Sequence, residues 1–183
     1  MHQLIKIIVY AKNEEDAVLN TENILDRICG DGKAFDYGSV LDEDGEKSWG
    51  VEKVSLANSK EGKRLIDEGM KDTKEDFMEN IKAIRKLIEK YSDDEIFEEE
   101  EDLSKRDLRK AILDKLENKK QEYNAWRYYF YKLGQYEGSN IYLYDNDGSG
   151  IRNFKHLKDV LNKWGSKDYQ DLEIFVVCCD VHH

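Results

Sequence analysis

Asp145 and Asp147 stand two residues apart in the segment NIYLYDNDGSG, residues 140–150, directly after an apolar run and just before a helical pattern. Two carboxylates so placed can hold a divalent cation such as Mg or Mn, and Gly148, Ser149 and Gly150 would let backbone amides approach an anion. Arg152 adds a cation for a phosphate, and the first amides of the following helix are suited to the same anion. The chemistry implied is the binding of a phosphate-bearing small molecule or nucleotide with a divalent cation, with Mg-dependent phosphoester chemistry as the reaction it would serve. The same residues also build an ordinary strand-to-helix turn, because Asp and Gly are favoured in tight turns and at helix starts.

A second group lies at the C-terminal end, where Asp180 and His182 alternate in an extended segment and so face one side. They could serve as metal ligands or as an acid–base pair, with His183 and His2 nearby, although a histidine pair at a chain end is also an ordinary solvated terminus. His156, inside the last helical pattern, reads as a surface or packing residue. Cys29, Cys178 and Cys179 are odd in number, lack metal spacing, and fall at a helix end or in mid-strand. Neither a disulfide framework nor a catalytic thiol is expected from them.

The elements that must position these residues are legible in outline. Leu4–Ala11 is a β-branched apolar run and reads as a buried strand. Asn13 is an N-cap followed by Glu14, Glu15 and Asp16, and Ala17, Thr21, Ile24, Leu25 and Ile28 share a helical face before Gly30. Phe35–Leu41 and Val51–Leu56 read as short strands around a polar DEDGEKSWG hairpin. After Gly134 come strand Ile141–Tyr144, helix Phe154–Trp164 and strand Leu172–Cys179, expected to form a parallel βαβ unit.

Between these parts, residues 59–133 are charged and poor in glycine. Ile66, Met70, Thr73, Phe77, Ile81, Ile84, Ile88 and Tyr91 repeat at spacings of three and four. A capping box at Ser92–Glu95 and the acidic run 93–102 precede a second seam from Leu108 to Leu133. The expected organisation is therefore an α/β core of residues 1–58 and 134–183 with a helical hairpin, 59–133, inserted in it. The fold expected first is a ferredoxin-like split βαβ sandwich, with an open parallel α/β sheet as the alternative. Both place Asp145 and Asp180 on one sheet edge, and the first adds Asp147, the glycine turn, His182 and His183 there.

Three families resemble the 145–156 segment. The spacing Asp145-x-Asp147-x-x-Gly150 after an apolar strand resembles the metal-binding half of a Toprim domain, which implies strand-cleaving or polymerising chemistry; that family also places a glutamate at the end of an earlier strand, where this chain has Tyr10-Ala11. Asp145-Asn-Asp147-Gly-Ser is similar to the nucleophile loop of haloacid-dehalogenase-type phosphatases, a loop that normally opens its domain. DNDGSG also resembles the start of an EF-hand loop, with Ile151 one position early and His156 where the bidentate glutamate belongs. Each covers a short stretch, and none is adopted as the family of the chain.

Composition narrows the rest. The chain has 183 residues, 38% charged and 39% hydrophobic, with 29 Lys and Arg against 40 Asp and Glu and a net charge of -11. Such a surface disfavours general nucleic-acid or anionic-membrane binding. The apolar run Leu4–Tyr10 is too short for a membrane span or signal core, so a cytoplasmic protein is expected. Proline is absent, so nothing interrupts the long helices. Seven aromatic residues between Tyr123 and Tyr136 flank Arg127 and suit packing against two neighbours, or a stacking platform for a base. The second functional class is therefore a non-catalytic interaction protein that uses its helical hairpin and acidic tip, with Ile96 and Phe97 as anchors, to bind a protein partner or to form a homo-oligomer.

Overall fold

The computed structural model describes residues 2–90, 92–93, 125–163 and 167–183. Two compact units divide the chain: residues 1–74 with 136–183, and residues 75–135. The first holds a five-stranded mixed sheet built from β1 (His2–Ala11), β2 (Tyr37–Val40), β3 (Val54–Leu56), β4 (Leu143–Tyr144) and β5 (Glu173–His182). Its spatial order is β2-β5-β1-β4, with β3 also paired to β5.

The two long strands carry the sheet. β1 and β5 pair antiparallel along their full length, from His2 opposite His182 to Ala11 opposite Glu173. Ile5, Ile7, Val9 and Ala11, with Phe175, Val177, Cys179 and Val181, face one side and pack against Ala17, Ile24, Leu25 and Ile28 of α1 (Glu14–Ile28). Ile8, Tyr10, Val176 and Cys178 face the other, where Leu65, Ile66 and Met70 of α3 (Lys60–Lys90) and Leu157 and Val160 of α5 (Phe154–Leu161) cover them. Both faces are buried, which is why the central strands read as continuous apolar runs rather than as alternating ones. Lys6 is the exception on that second face; it is 3% exposed, with its ammonium 3.8 Å from Asp72 of α3.

Local signals place α1 where the sequence does. The Asn13 side chain accepts the Asp16 amide at 2.9 Å, and three acidic residues occupy the first turn.

The expected polar hairpin between β2 and β3 is corrected to a helix, α2 (Glu43–Trp49). Asp42 accepts the Gly45 amide at 2.8 Å as N-cap, and Gly50 takes the left-handed conformation, φ 66°, that ends a helix. β2 and β3 consequently do not pair with each other; they lie in succession along the same side of β5.

The expected parallel β4-α-β5 unit is also corrected. β4 and β5 flank β1 on either side, but β4 runs parallel to β1 and β5 antiparallel to it. Neither a parallel crossover between the last two strands nor an all-parallel sheet is formed. β1 and β2 run the same way on either side of β5, joined through α1. Four strands thus share one direction and only β5 opposes them.

In the unit of residues 75–135, α3 continues to Lys90 and α4 (Ala125–Gly134) closes the segment. The first turns of α3, up to residue 74, belong to the sheet unit. The capping box and the acidic run lie almost entirely outside the described residues, as do Ile96, Phe97 and the seam from Leu108 to Tyr123. Among the described residues no helix is long and apolar enough to cross a membrane.

Candidate functional site

The Asp145 turn is organised from within. Asp145 is 2% exposed, and one carboxylate oxygen accepts the backbone amides of Asp147 and Ser149, both at 2.9 Å. Its other oxygen lies 2.9 Å from Nε2 of His156, in the first turn of α5. The Asp145 carbonyl accepts the Gly148 amide at 3.0 Å, its own amide donates to the Ser149 carbonyl at 2.9 Å, and the Ile151 amide donates to Leu143 at 2.8 Å. The amides of residues 147, 148, 149 and 151, which a phosphate would need, are therefore spent inside the turn.

The glycines answer to packing. Gly148 has φ 81°, and a side chain there would meet Cγ2 of Ile28 at 3.1 Å. At Gly150 a Cβ would overlap the carbonyl oxygen of Tyr136. Their role is to let the turn press against α1 and against the chain entering β4. Asn146 fixes the turn to β1 by accepting the Tyr10 amide at 3.1 Å.

Asp147 and Ser149 point to solvent. The Arg152 guanidinium lies over the Tyr136 ring at 4.8 Å, and partial burial lowers its pKa. Of the residues expected here, Asp145, Asp147, Gly148, Ser149, Gly150 and Arg152 do share one turn. His156 is the member that sequence reading left out, although its place in the EF-hand-like spacing marked it as near Asp145.

Asp180 and His182 are elsewhere, which corrects the expected gathering on one edge. Asp180 is paired with Leu4 and His182 with His2, at the amino end of β1, while the turn follows β4 beside the carboxyl half of β1. The reversal of β5 relative to β4 separates them. At that amino end His2 Nδ1 is 3.1 Å from both Asp180 oxygens, the His2 and His182 rings meet edge to face at 5.3 Å, and Tyr37 stacks on His182 at 4.7 Å. His182 Nδ1 is 3.4 Å from Asp36, and His183 Nε2 is 2.6 Å from Gln3. Among the described residues no three His, Cys, Asp or Glu side chains converge as a metal site.

Burial governs the remaining reactive groups. The Cys178 thiol is pushed up to about 12, Cys179 is raised well above its ordinary value, and Cys29 is raised, in each case chiefly by burial. Burial likewise raises the phenol of Tyr144, whose oxygen accepts the Gly138 amide at 2.9 Å. The side chains of Trp126 and Arg127, the proposed base platform, lie outside the described parts of α4.

A protein-family model described as Domain of unknown function (DUF7995) matches residues 1–112 and 106–183. The chain belongs to this family. The two matches together run through the sheet unit and the helical unit alike, so membership in DUF7995 extends to both. No curated protein and no solved structure matches the chain.

Proposed function

We propose that this DUF7995 protein is a non-catalytic interaction protein that associates with a second copy of itself through the unit of residues 75–135. The observation that carries this reading is the exposure of large apolar side chains in that unit: Met78 is 39% exposed, Ile88 48% and Tyr131 56%. Ile88 continues the seam that begins with the buried Ile66, Met70 and Thr73, so the helix keeps its apolar spacing beyond the part that the sheet unit buries. In this reading residues 59–133 form a helical hairpin inserted into an α/β core of split βαβ type, and its acidic tip keeps unrelated anionic surfaces away. Three free thiols, two of them buried, suit a reducing compartment such as the cytoplasm.

The reading with Mg or Mn and a phosphate-bearing ligand has less support, because Asp145 is held by protein groups and the turn's amides face inward. Light scattering across a range of concentrations tests the proposal. A mass above that of one chain is expected for the wild type, and Ile88→Glu, on an exposed helical position, returns it to the monomer. A monomer at every concentration refutes self-association.

A further inference from the structure

At the carboxyl ends of β1 and β3 the sheet unit contains a cavity of about 670 Å³, within the range of small-molecule sites. Aliphatic side chains supply its apolar lining: Leu56 ends β3, Ile66 is on α3, Leu157 and Leu161 are on α5, Leu172 precedes β5, and Ile174 is near the start of that strand. Ligands of α/β sheets bind beyond the carboxyl ends of their strands, and here four of the five strands end in that direction.

The charged groups along the lining cancel. Lys63 and Lys163 stand against Asp67 and Glu173, two ammonium groups and two carboxylates, so the site favours neither a cation nor an anion. A charged head group would leave water there with no net opposite charge to offset the cost. Among the described residues Asn58 is the one uncharged polar side chain of the lining; it is exposed, and its amide makes no hydrogen bond to them. A carboxamide offers both a donor and an acceptor, and a hydroxyl group can use either.

We infer that this cavity binds an uncharged amphiphile, an apolar body bearing one hydroxyl group. The apolar body lies against Ile66, Leu157 and Leu161, and the hydroxyl meets the Asn58 amide. Burial of the apolar body supplies most of the affinity, and the cancelled charges together with Asn58 select the head group. Every residue named here belongs to the sheet unit, so this binding does not depend on the association proposed for residues 75–135.

Isothermal titration with decan-1-ol, decylammonium and decanoate, each below its micelle-forming concentration, compares one chain with three head groups. Saturable binding of the alcohol at one site is expected, with both ions weaker by about fivefold and close to each other in affinity. Asn58→Ala, at an exposed position, is expected to weaken the alcohol about threefold without shifting the unfolding midpoint. Leu161→Trp, which fills the cavity, is expected to abolish binding; if that variant fails to fold, Asn58→Ala decides alone. Absence of saturable binding by the alcohol, an ion bound as tightly as the alcohol or more so, unchanged affinity in Asn58→Ala, or full affinity in a folded Leu161→Trp each overturns the inference.

Discussion

The carboxylate of Asp145 and the imidazole of His156 meet at 2.9 Å across eleven residues of chain, and with the amides of Asp147 and Ser149 they close the turn between β4 and α5. Asp145 is 2% exposed, so removing its charge leaves two amide donors and a histidine without their acceptor. Asp145→Ala is therefore expected to cost about 2–4 kcal/mol in denaturant-induced unfolding. Asp147→Asn, on the solvent side of the same turn, is expected to stay within about 0.5 kcal/mol of the wild type.

Two glycines separate the effect of space from that of backbone conformation. Gly150→Ala places a methyl group on the Tyr136 carbonyl and is expected to lose about 3 kcal/mol or more. Gly50→Ala has open space but a φ of 66°, so only the left-handed penalty of about 1–2 kcal/mol applies. Thermal unfolding of the two variants should rank them in that order, and equal losses would mean that the turn can give way at Tyr136.

The polar segment before β3 illustrates what sequence reading could and could not resolve. Asn13 and Asp42 are both helix caps, yet only the first stands out in the sequence, because a run of apolar residues at helical spacing follows Asn13 and none follows Asp42. α2 buries no residue, so its only signals are Asp42, the acidic first turn and Gly50. Asp42→Ala is expected to cost about 1 kcal/mol, read from the unfolding midpoint.

The buried thiols give the protein a pH dependence of definite sign. Burial raises the folded pKa of Cys178 to about 12 and raises Cys179 and Cys29 as well, so the folded chain holds these protons more tightly than the unfolded one. The associated stabilisation is complete below the unfolded thiol pKa of about 8.5 and is lost as the pH rises towards 12. Unfolding free energies measured at pH 8 and at pH 11 should therefore fall with pH, and Cys178→Ala should flatten that fall. A thiol reagent at pH 8 should leave Cys178 and Cys179 unmodified until denaturant is added.

Strand identity was legible and strand direction was not. The apolar runs of β1 and β5 announced buried central strands; Asp145 directly follows β4, whereas Asp180 lies inside β5, which continues past Cys179 to His182. Nothing local in Leu143–Tyr144 or in Glu173–His182 tells which way each lies beside β1, since both faces of the sheet are apolar and either direction buries the same side chains. That one unread choice parts Asp145 from Asp180 and His182. The Asp145–His156 contact was hidden for a related reason, because an eleven-residue separation is bridged only once the turn and α5 are in place.

That the Asp145 turn is filled by protein groups rather than by a cation and phosphate is tested most directly by isothermal titration of Mg and Mn, alone and with nucleotides, into wild type and Asp147→Asn. No saturable heat is expected from either protein. Stoichiometric binding by the wild type that Asp147→Asn abolishes would contradict it and return the turn to the role its sequence first suggested.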